Sequence, residues 1–288
     1  MKQVYDTIIV GGGLVGCAIA CGVAGSGRRV AVIDGGDSDF RASRGNFGLV
    51  WVQGKGADCA AYARWSALAA EAWPAFAAEL IRETGVDPEL EQTGGYDFCL
   101  DESEWNARSD EMRRVRAHTD GAFSYEMLDN DELRRRIPQV SAEVRGASFS
   151  RHDGHANPLY LLRALQARMQ QFEVAYLPRN PVAAIVAITS GFELKTDQEL
   201  YHAEQVVLCA GLDNQRLGAE VDINVPVHPV RGQLLITERV PRFLPGATLQ
   251  VRQTADGTLQ IGDSHEDVGY DDSSSLEVME QLATRAVR

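Results

Sequence analysis

Residues 8–16 read IIVGGGLVG, and the pattern Gly-x-Gly-x-x-Gly falls on Gly11, Gly13 and Gly16. Each glycine at that spacing has its own physical task. Gly11 permits a tight turn out of a strand. Gly13 lets backbone approach a pyrophosphate with no Cβ in the way. Gly16 lets a helix pack closely on the strand. The free N–H groups and positive end of that helix then face the phosphates. Asp34 follows Gly11 by 34 − 11 = 23 residues, where an acid accepts hydrogen bonds from ribose hydroxyls. A carboxylate there repels a 2′-phosphate, and no arginine directly follows it, so FAD or NAD is favoured over NADP. The candidate cradle for the dinucleotide is Gly11, Gly12, Gly13, Leu14, Val15 and Gly16, with Asp34 and Gly35.

These residues work only if a strand ends at Val10 and a helix starts within the glycines. VYDTIIV at 4–10 is short, β-branched and stopped by glycine, as buried parallel strands are. Residues 14–25 are small and apolar, with Ala20 one turn after Gly16, and read as a helix that Gly27 closes as its C-cap. RVAVI at 29–33 is a second buried strand. Trp65, Leu68, Ala72, Phe76 and Leu80 recur at spacings of three and four, which predicts a helix over 60–82 with a kink or break near Trp73, before Pro74.

A further helix is expected from Glu102 to Arg116, its Arg113, Arg114 and Arg116 forming a solvated face, as Arg134 to Arg136 do later. Strands are expected at YDFCL after Gly94-Gly95, at 144–151, 173–177, 182–188, 191–196 and 205–210, and a helix from Asn157-Pro158. Residues 227–261 read mostly as strands, with turns at Pro245-Gly246 and Asp256-Gly257. The pattern implies an α/β fold: a Rossmann-like FAD-binding domain interrupted by an α+β substrate domain with a mostly antiparallel sheet. The expected division is 1–90 with 145–222 for the first and 91–144 with 223–288 for the second.

Composition narrows the partners. The chain carries 28 Lys and Arg against 41 Asp and Glu, a formal charge of −13 that repels nucleic acid phosphates and anionic lipid. Nucleic acid is set aside as a partner. The five cysteines, Cys17, Cys21, Cys59, Cys99 and Cys209, are odd in number and lack metal-ligand pairing, so all five read as reduced thiols and no metal is expected. No stretch approaches the ~20 apolar residues needed to cross a bilayer. A cytoplasmic location is expected, with peripheral attachment to the inner membrane left open.

By residue 48 the chain resembles the D-amino-acid oxidase superfamily of flavin-dependent oxidoreductases. The resemblance rests on the dinucleotide turn and Asp34, on ASRGNFG at 42–48, on the segment 180–211 that ends in Ala210-Gly211, and on PVHPVRGQLL at 226–235 with IGDSHEDVGYD at 261–271. It implies that Ser43, Arg44, Asn46, Phe47 and Gly48 line the cofactor, that the backbone at Val182 contacts adenine, and that Ala210 and Gly211 meet the cofactor at a strand end. RASRGNFGLVWVQGKG looks most like the flavin subunits of opine oxidases and D-hydroxyproline dehydrogenases, which pass electrons to partner subunits, some with iron–sulfur clusters. No cysteine cluster for such a centre is present, so any cluster has to come from a partner.

The resemblance implies oxidation of a C–N bond in an amino-acid-like amine, with hydride transfer to FAD and hydrolysis of the imine. A small substrate bearing a carboxylate needs a cation. Arg231 is the best candidate in the strand block, with Gln233 two residues on and so on the same face. His155 and His228 are within the same region, and no catalytic residue is singled out. Two rivals stand beside this reading: an NAD-linked dehydrogenase, and an incomplete, non-catalytic binding partner. The second arises because Leu276, Met279, Leu282 and Ala286 trace an amphipathic helix with no element after it, whereas members of the superfamily usually continue. The expectation is a missing C-terminal return to the cofactor domain.

Overall fold

The computed structural model describes residues 3–36, 42–262 and 264–287. In chain order, β1 (Gln3–Val10), α1 (Leu14–Ala24) and β2 (Val30–Ile33) are followed by β3 (Leu49–Val50), α2 (Ala60–Thr84), β4 (Gly95–Cys99) and α3 (Glu102–His118). Next come β5 (Glu126–Asp129), α4 (Asn130–Arg136), β6 (Gly146–Ser150), β7 (Gly154–His155), α5 (Pro158–Gln171) and β8 (Ala175–Leu177). The chain continues through β9 (Val182–Ile188), β10 (Gly191–Thr196), β11 (Leu200–Leu208), α6 (Asn214–Ala219), β12 (Leu235–Arg239), β13 (Ala247–Thr248), β14 (Val251–Gln253), β15 (Thr258–Ile261) and α7 (Leu276–Ala286).

The largest sheet has the order β8-β2-β1-β11-β10-β9. Its β8, β2, β1 and β11 run parallel, and β10 and β9 complete it as an antiparallel hairpin. Side chains alternate across a strand, so a strand buried on both faces must be apolar at every position. β2 and the end of β1, residues 8–10, meet this condition. Ile9, Val30 and Val32 pack with Cys17, Ala20, Leu161 and Leu165 from α1 and α5. Ile8, Val10, Ala31 and Ile33 pack on the opposite face with Val182, Leu194 and Leu217. The glycine turn is thus clamped at the carboxyl ends of central strands, the usual place for a ligand crevice in such sheets.

The second group of strands forms a sheet of order β13-β4-β6-β5, mostly antiparallel, and a three-stranded antiparallel sheet β12-β15-β14. Residues 146–150, expected within the cofactor-binding part, pair instead with both β4 and β5 and so lie in this second group. α2 joins the two groups: Leu80 packs with α1 and α5, while Ala67 and Ala70 pack with Met112 and Val115 of α3.

Two local expectations need correction. The expected break at Pro74 does not occur: α2 is one helix across it. Proline removes the N–H that would bond to the carbonyl four residues earlier. Here that carbonyl, on Ala70, accepts from Gln92 Nε2 at 2.9 Å instead, so it is not left orphaned. α1 ends at Ala24 with Gly25 as its cap, whose N–H reaches Cys21. Gly27 takes the left-handed turn (φ +81°) two residues beyond, rather than serving as the cap.

Candidate functional site

β1 delivers the chain into the glycine turn between two neighbours. Gly11 N–H donates to the Ile33 carbonyl at 2.8 Å, and Cys209 N–H donates to the Val10 carbonyl at 2.7 Å. Gly11 sits at φ +109°, and a Cβ there would lie 2.6 Å from the Cys209 carbonyl carbon and 2.9 Å from Ala210 N. At Gly16 a Cβ would strike the Gly11 carbonyl. These two glycines are required by the packing of the turn itself. Gly13 differs: it is the α1 N-cap at φ −77°, ψ −174°, a conformation any residue adopts. A Cβ on Gly13 would meet the Ser43 hydroxyl at 2.7 Å.

Ser43 Oγ accepts from Leu14 N at 2.9 Å. The first turn of α1 holds no acid, and Val15 in it is 65 % exposed. An N-terminus with no acid and outward-facing donors favours an anion. Arg44 lies with Ser43 along the same small pocket, which Gly12, Gly13 and Tyr176 also line. Asp34 is buried at the end of β2, and its Oδ1 accepts from Gly12 N at 2.8 Å. Gly35 beside it is exposed. The Asp34 carbonyl accepts from Asn180 N at 2.8 Å, which brings the start of β9, with Val182, alongside. Val182 is buried, and its carbonyl accepts from Arg216 Nη2 at 2.9 Å.

The remaining candidates do not line that small pocket. Ala210 N–H donates to Asn214 Oδ1 at 2.7 Å, and Gly211 at φ +62° faces open space. Asn46 closes its own turn: its Oδ1 accepts from Gly48 N at 2.8 Å and its Nδ2 donates to the Ala42 carbonyl at 3.0 Å. The Phe47 carbonyl accepts from Arg252 Nη1 at 2.7 Å. Arg252 is only 1 % exposed and also reaches Gln260 Oε1 at 3.2 Å, so it ties this loop to the β14–β15 hairpin. Sequence reasoning missed Arg252. The one signal for it is an arginine in the alternating run VRQ, whose depth only the tertiary packing reveals.

The substrate-side candidates fare differently. Arg231 Nη2 donates to Glu266 Oε2 at 2.7 Å, and its Nη1 to Asp271 Oδ2 at 2.7 Å and to the Ser273 carbonyl at 2.9 Å. Gln233 Nε2 donates to the other Glu266 oxygen at 2.7 Å. The pair does share one side, as the spacing predicts, but the two side chains converge on Glu266 rather than on a vacant carboxylate site. Arg231 and Gln233 hold the Glu266 carboxyl well down, to about 2. His228 is exposed, and His155 is buried, with its pKa lowered to about 4 by burial and by the Arg252 charge.

Asp153, also missed, is fully buried beneath the loop that follows β3. Its Oδ1 accepts from Val52 N at 2.5 Å, and burial raises its pKa to about 7. All five cysteines are free thiols, and no cluster able to hold a metal occurs among the described residues. No helix among them is long and apolar enough to cross a membrane.

The turn therefore offers a cap without a Cβ, a helix end without acids, and a Leu14 N–H that donates to the Ser43 hydroxyl. Comparison with known proteins agrees. The chain is 41% identical over 284 residues to a subunit of opine oxidase from Agrobacterium tumefaciens (strain Ach5), covering 98% of this chain and 76% of that one. It is 28% identical to hydrogen cyanide synthase subunit HcnC of Pseudomonas aeruginosa, over 100% of this chain and 78% of the relative. The crystal structure of glycine oxidase from Geobacillus kaustophilus superposes with a TM-score of 0.88 at 25% identity, covering 99% of this chain and 78% of that one. Residues 6–288 match the model of the DAO family of FAD-dependent oxidoreductases. Between the cofactors that Asp34 allows, the match decides for FAD: the chain belongs to the DAO family of FAD-dependent oxidoreductases.

Proposed function

We propose that this chain oxidises the C–N bond of an amino-acid-like amine, of the opine, D-amino-acid or hydroxyproline-like class. The observation that carries the reading is the likeness to the opine oxidase subunit, continuous over 98% of the chain and including the glycine turn. In this reading the β8-β2-β1-β11 unit holds the cofactor, and the β4- and β15-containing sheets enclose the substrate. Gly13 and Leu14 at the α1 end take the pyrophosphate with Ser43 and Arg44, and Asp34 takes the ribose. The Val182 backbone faces adenine, and the segment Asn46–Gly48 with Ala210 and Gly211 borders the flavin. FAD, when bound, supplies the acceptor for the hydride leaving the carbon beside nitrogen, and water hydrolyses the resulting imine.

The chain's own part is to hold the amine and its carboxylates in place and to keep water from the reacting carbon. An amine arriving neutral needs no protein base. The relatives named as subunits support a further partner subunit; in this reading it receives the electrons, in the cytoplasm. The test is an anaerobic absorbance titration of the FAD-loaded protein. Bleaching of the flavin band by opines or D-amino acids is expected. A protein that binds FAD but is not bleached by any amine or amino acid overturns the reading.

A further inference from the structure

α2 is apolar on two opposite sides. Ala63, Ala67, Ala70 and Leu80 are buried on its inner side. On the outer side Trp65 is 72 % exposed, Leu68 64 % and Tyr62 45 %. The periodic stripe that predicts this helix is thus divided: Leu80 is buried, whereas Trp65 and Leu68 face outward. A surface helix ordinarily turns charged residues to water on its outer side, and a helix apolar all round is one that is covered all round. Here Arg64 and Glu71 are the only charged residues from Ala61 to Ala78.

The outer residues form a line. Ala61, Trp65, Leu68, Ala72 and Ala75 are all exposed, and their spacings are four, three, four and three. That alternation is the seam along which one helix packs on another. At 1.5 Å per residue the seam runs ~21 Å. Its alanines permit close approach of a second helix, and Trp65 with Leu68 supplies bulk at the middle. Arg64 and Glu71 stand seven residues apart on one flank of the seam, each directly before a seam residue. Tyr62 and Ala69 hold the equivalent places on the other flank. Arg64 Nη1 donates to the His118 carbonyl at 3.1 Å, and a guanidinium has further N–H groups for a carboxylate.

We infer that the outer face of α2 is the surface on which two copies of this chain pair, helix against helix and antiparallel. A twofold axis across the seam lays Trp65 of each protomer on Leu68 of its partner. The same axis lays Arg64 on Glu71, and symmetry makes each contact twice. A parallel pairing would instead set Arg64 against Arg64 and Glu71 against Glu71, which repel. The face is therefore self-complementary in its apolar layers and in its charges, as an isologous interface requires. None of these residues lines the pocket at the glycine turn, so the inference stands apart from the amine-oxidation reading.

The patch is small beside permanent oligomer interfaces, so a reversible dimer is expected. The test is sedimentation velocity of the FAD-loaded full chain from about 1 to 100 µM, the affinity range that such a patch supports. A monomer–dimer equilibrium is expected. Trp65→Glu should raise the dimer dissociation constant at least about thirtyfold, as loss of a central aromatic contact does. Arg64→Glu should raise it about tenfold, because both symmetric pairs turn from attraction to repulsion, and Arg64→Glu with Glu71→Arg should restore it. Trp65 and Arg64 are exposed, so the variants are expected to fold, and unchanged circular dichroism and FAD content check this. A chain that stays monomeric throughout overturns the inference, as does one that associates only with an unlike subunit. A dimer that survives Trp65→Glu, or a charge exchange that fails to restore pairing, overturns it as well.

Discussion

Gly13→Ala separates the role of the glycine turn in binding from its role in folding. Gly13 has ordinary extended dihedrals, so alanine brings no backbone strain. The added methyl instead meets Ser43 Oγ at 2.7 Å, about an ångström inside a normal carbon–oxygen contact. Ser43 must turn away, which costs its hydrogen bond from Leu14 N, worth about 1 kcal/mol at a partly exposed site. For a chain of this size that corresponds to a fall in Tm of roughly 2–4 °C. The effect on FAD is larger. A methyl at the N-cap holds the pyrophosphate off the α1 donors, and loss of one or two charge-assisted hydrogen bonds at about 1.5–3 kcal/mol each weakens binding by at least tenfold. The assay is fluorescence titration of apoprotein with FAD beside a thermal melt. Gly11→Ala is the control: at φ +109° and against Cys209 and Ala210 it should impair folding itself. A Gly13→Ala protein with wild-type FAD affinity refutes the reasoning, as does one that fails to fold.

Asp34→Ala should weaken FAD binding about tenfold to a hundredfold and also free Gly12 N–H, whereas Asp34→Asn keeps the Gly12 contact and should lose less; the same titration checks both. Gly48→Ala places a side chain at φ +79° against Arg252 Nη1, 2.5 Å away, and should cost about 1–3 kcal/mol from backbone strain alone, measured by urea unfolding. Asp153 is raised to about 7 in the folded chain, above the ordinary carboxyl value, so the native state holds a proton that the unfolded chain has lost. Stability from this group is present below pH ~4 and declines as pH rises toward 7. Asp153→Asn should therefore raise Tm more at pH 8 than at pH 5, and an equal shift at both values would refute the buried-acid reading.

How much of this was legible in the sequence depended on the range of the interaction. The βαβ unit is local: glycine spacing, β-branched strands and the position of Asp34 follow from contacts within some thirty residues. Steric rules on backbone dihedrals and alternation across a strand leave few other outcomes. Helix starts were equally legible where a side chain caps its own helix, as Asn157 does at α5. Pro74 shows the limit. Proline predicts an orphaned carbonyl, but whether Gln92, 18 residues further on, arrives to satisfy it is a tertiary matter.

The candidate site divides in the same way. The sequence by itself pointed to a dinucleotide and to the glycine turn as its cradle, because phosphate recognition uses backbone groups and a helix end that a short motif organises. It also pointed to a need for a cation on the substrate side. Only the tertiary structure shows that the best candidate is already matched by acids. Arg231 finds Glu266 and Asp271 some 35 and 40 residues away and is neutralised there. Arg114, read as part of a solvated face, is exposed and pairs with Asp58 on the surface. A charge's availability depends on which opposite charges lie within a few ångströms, and for residues so far apart in the chain only packing sets that distance.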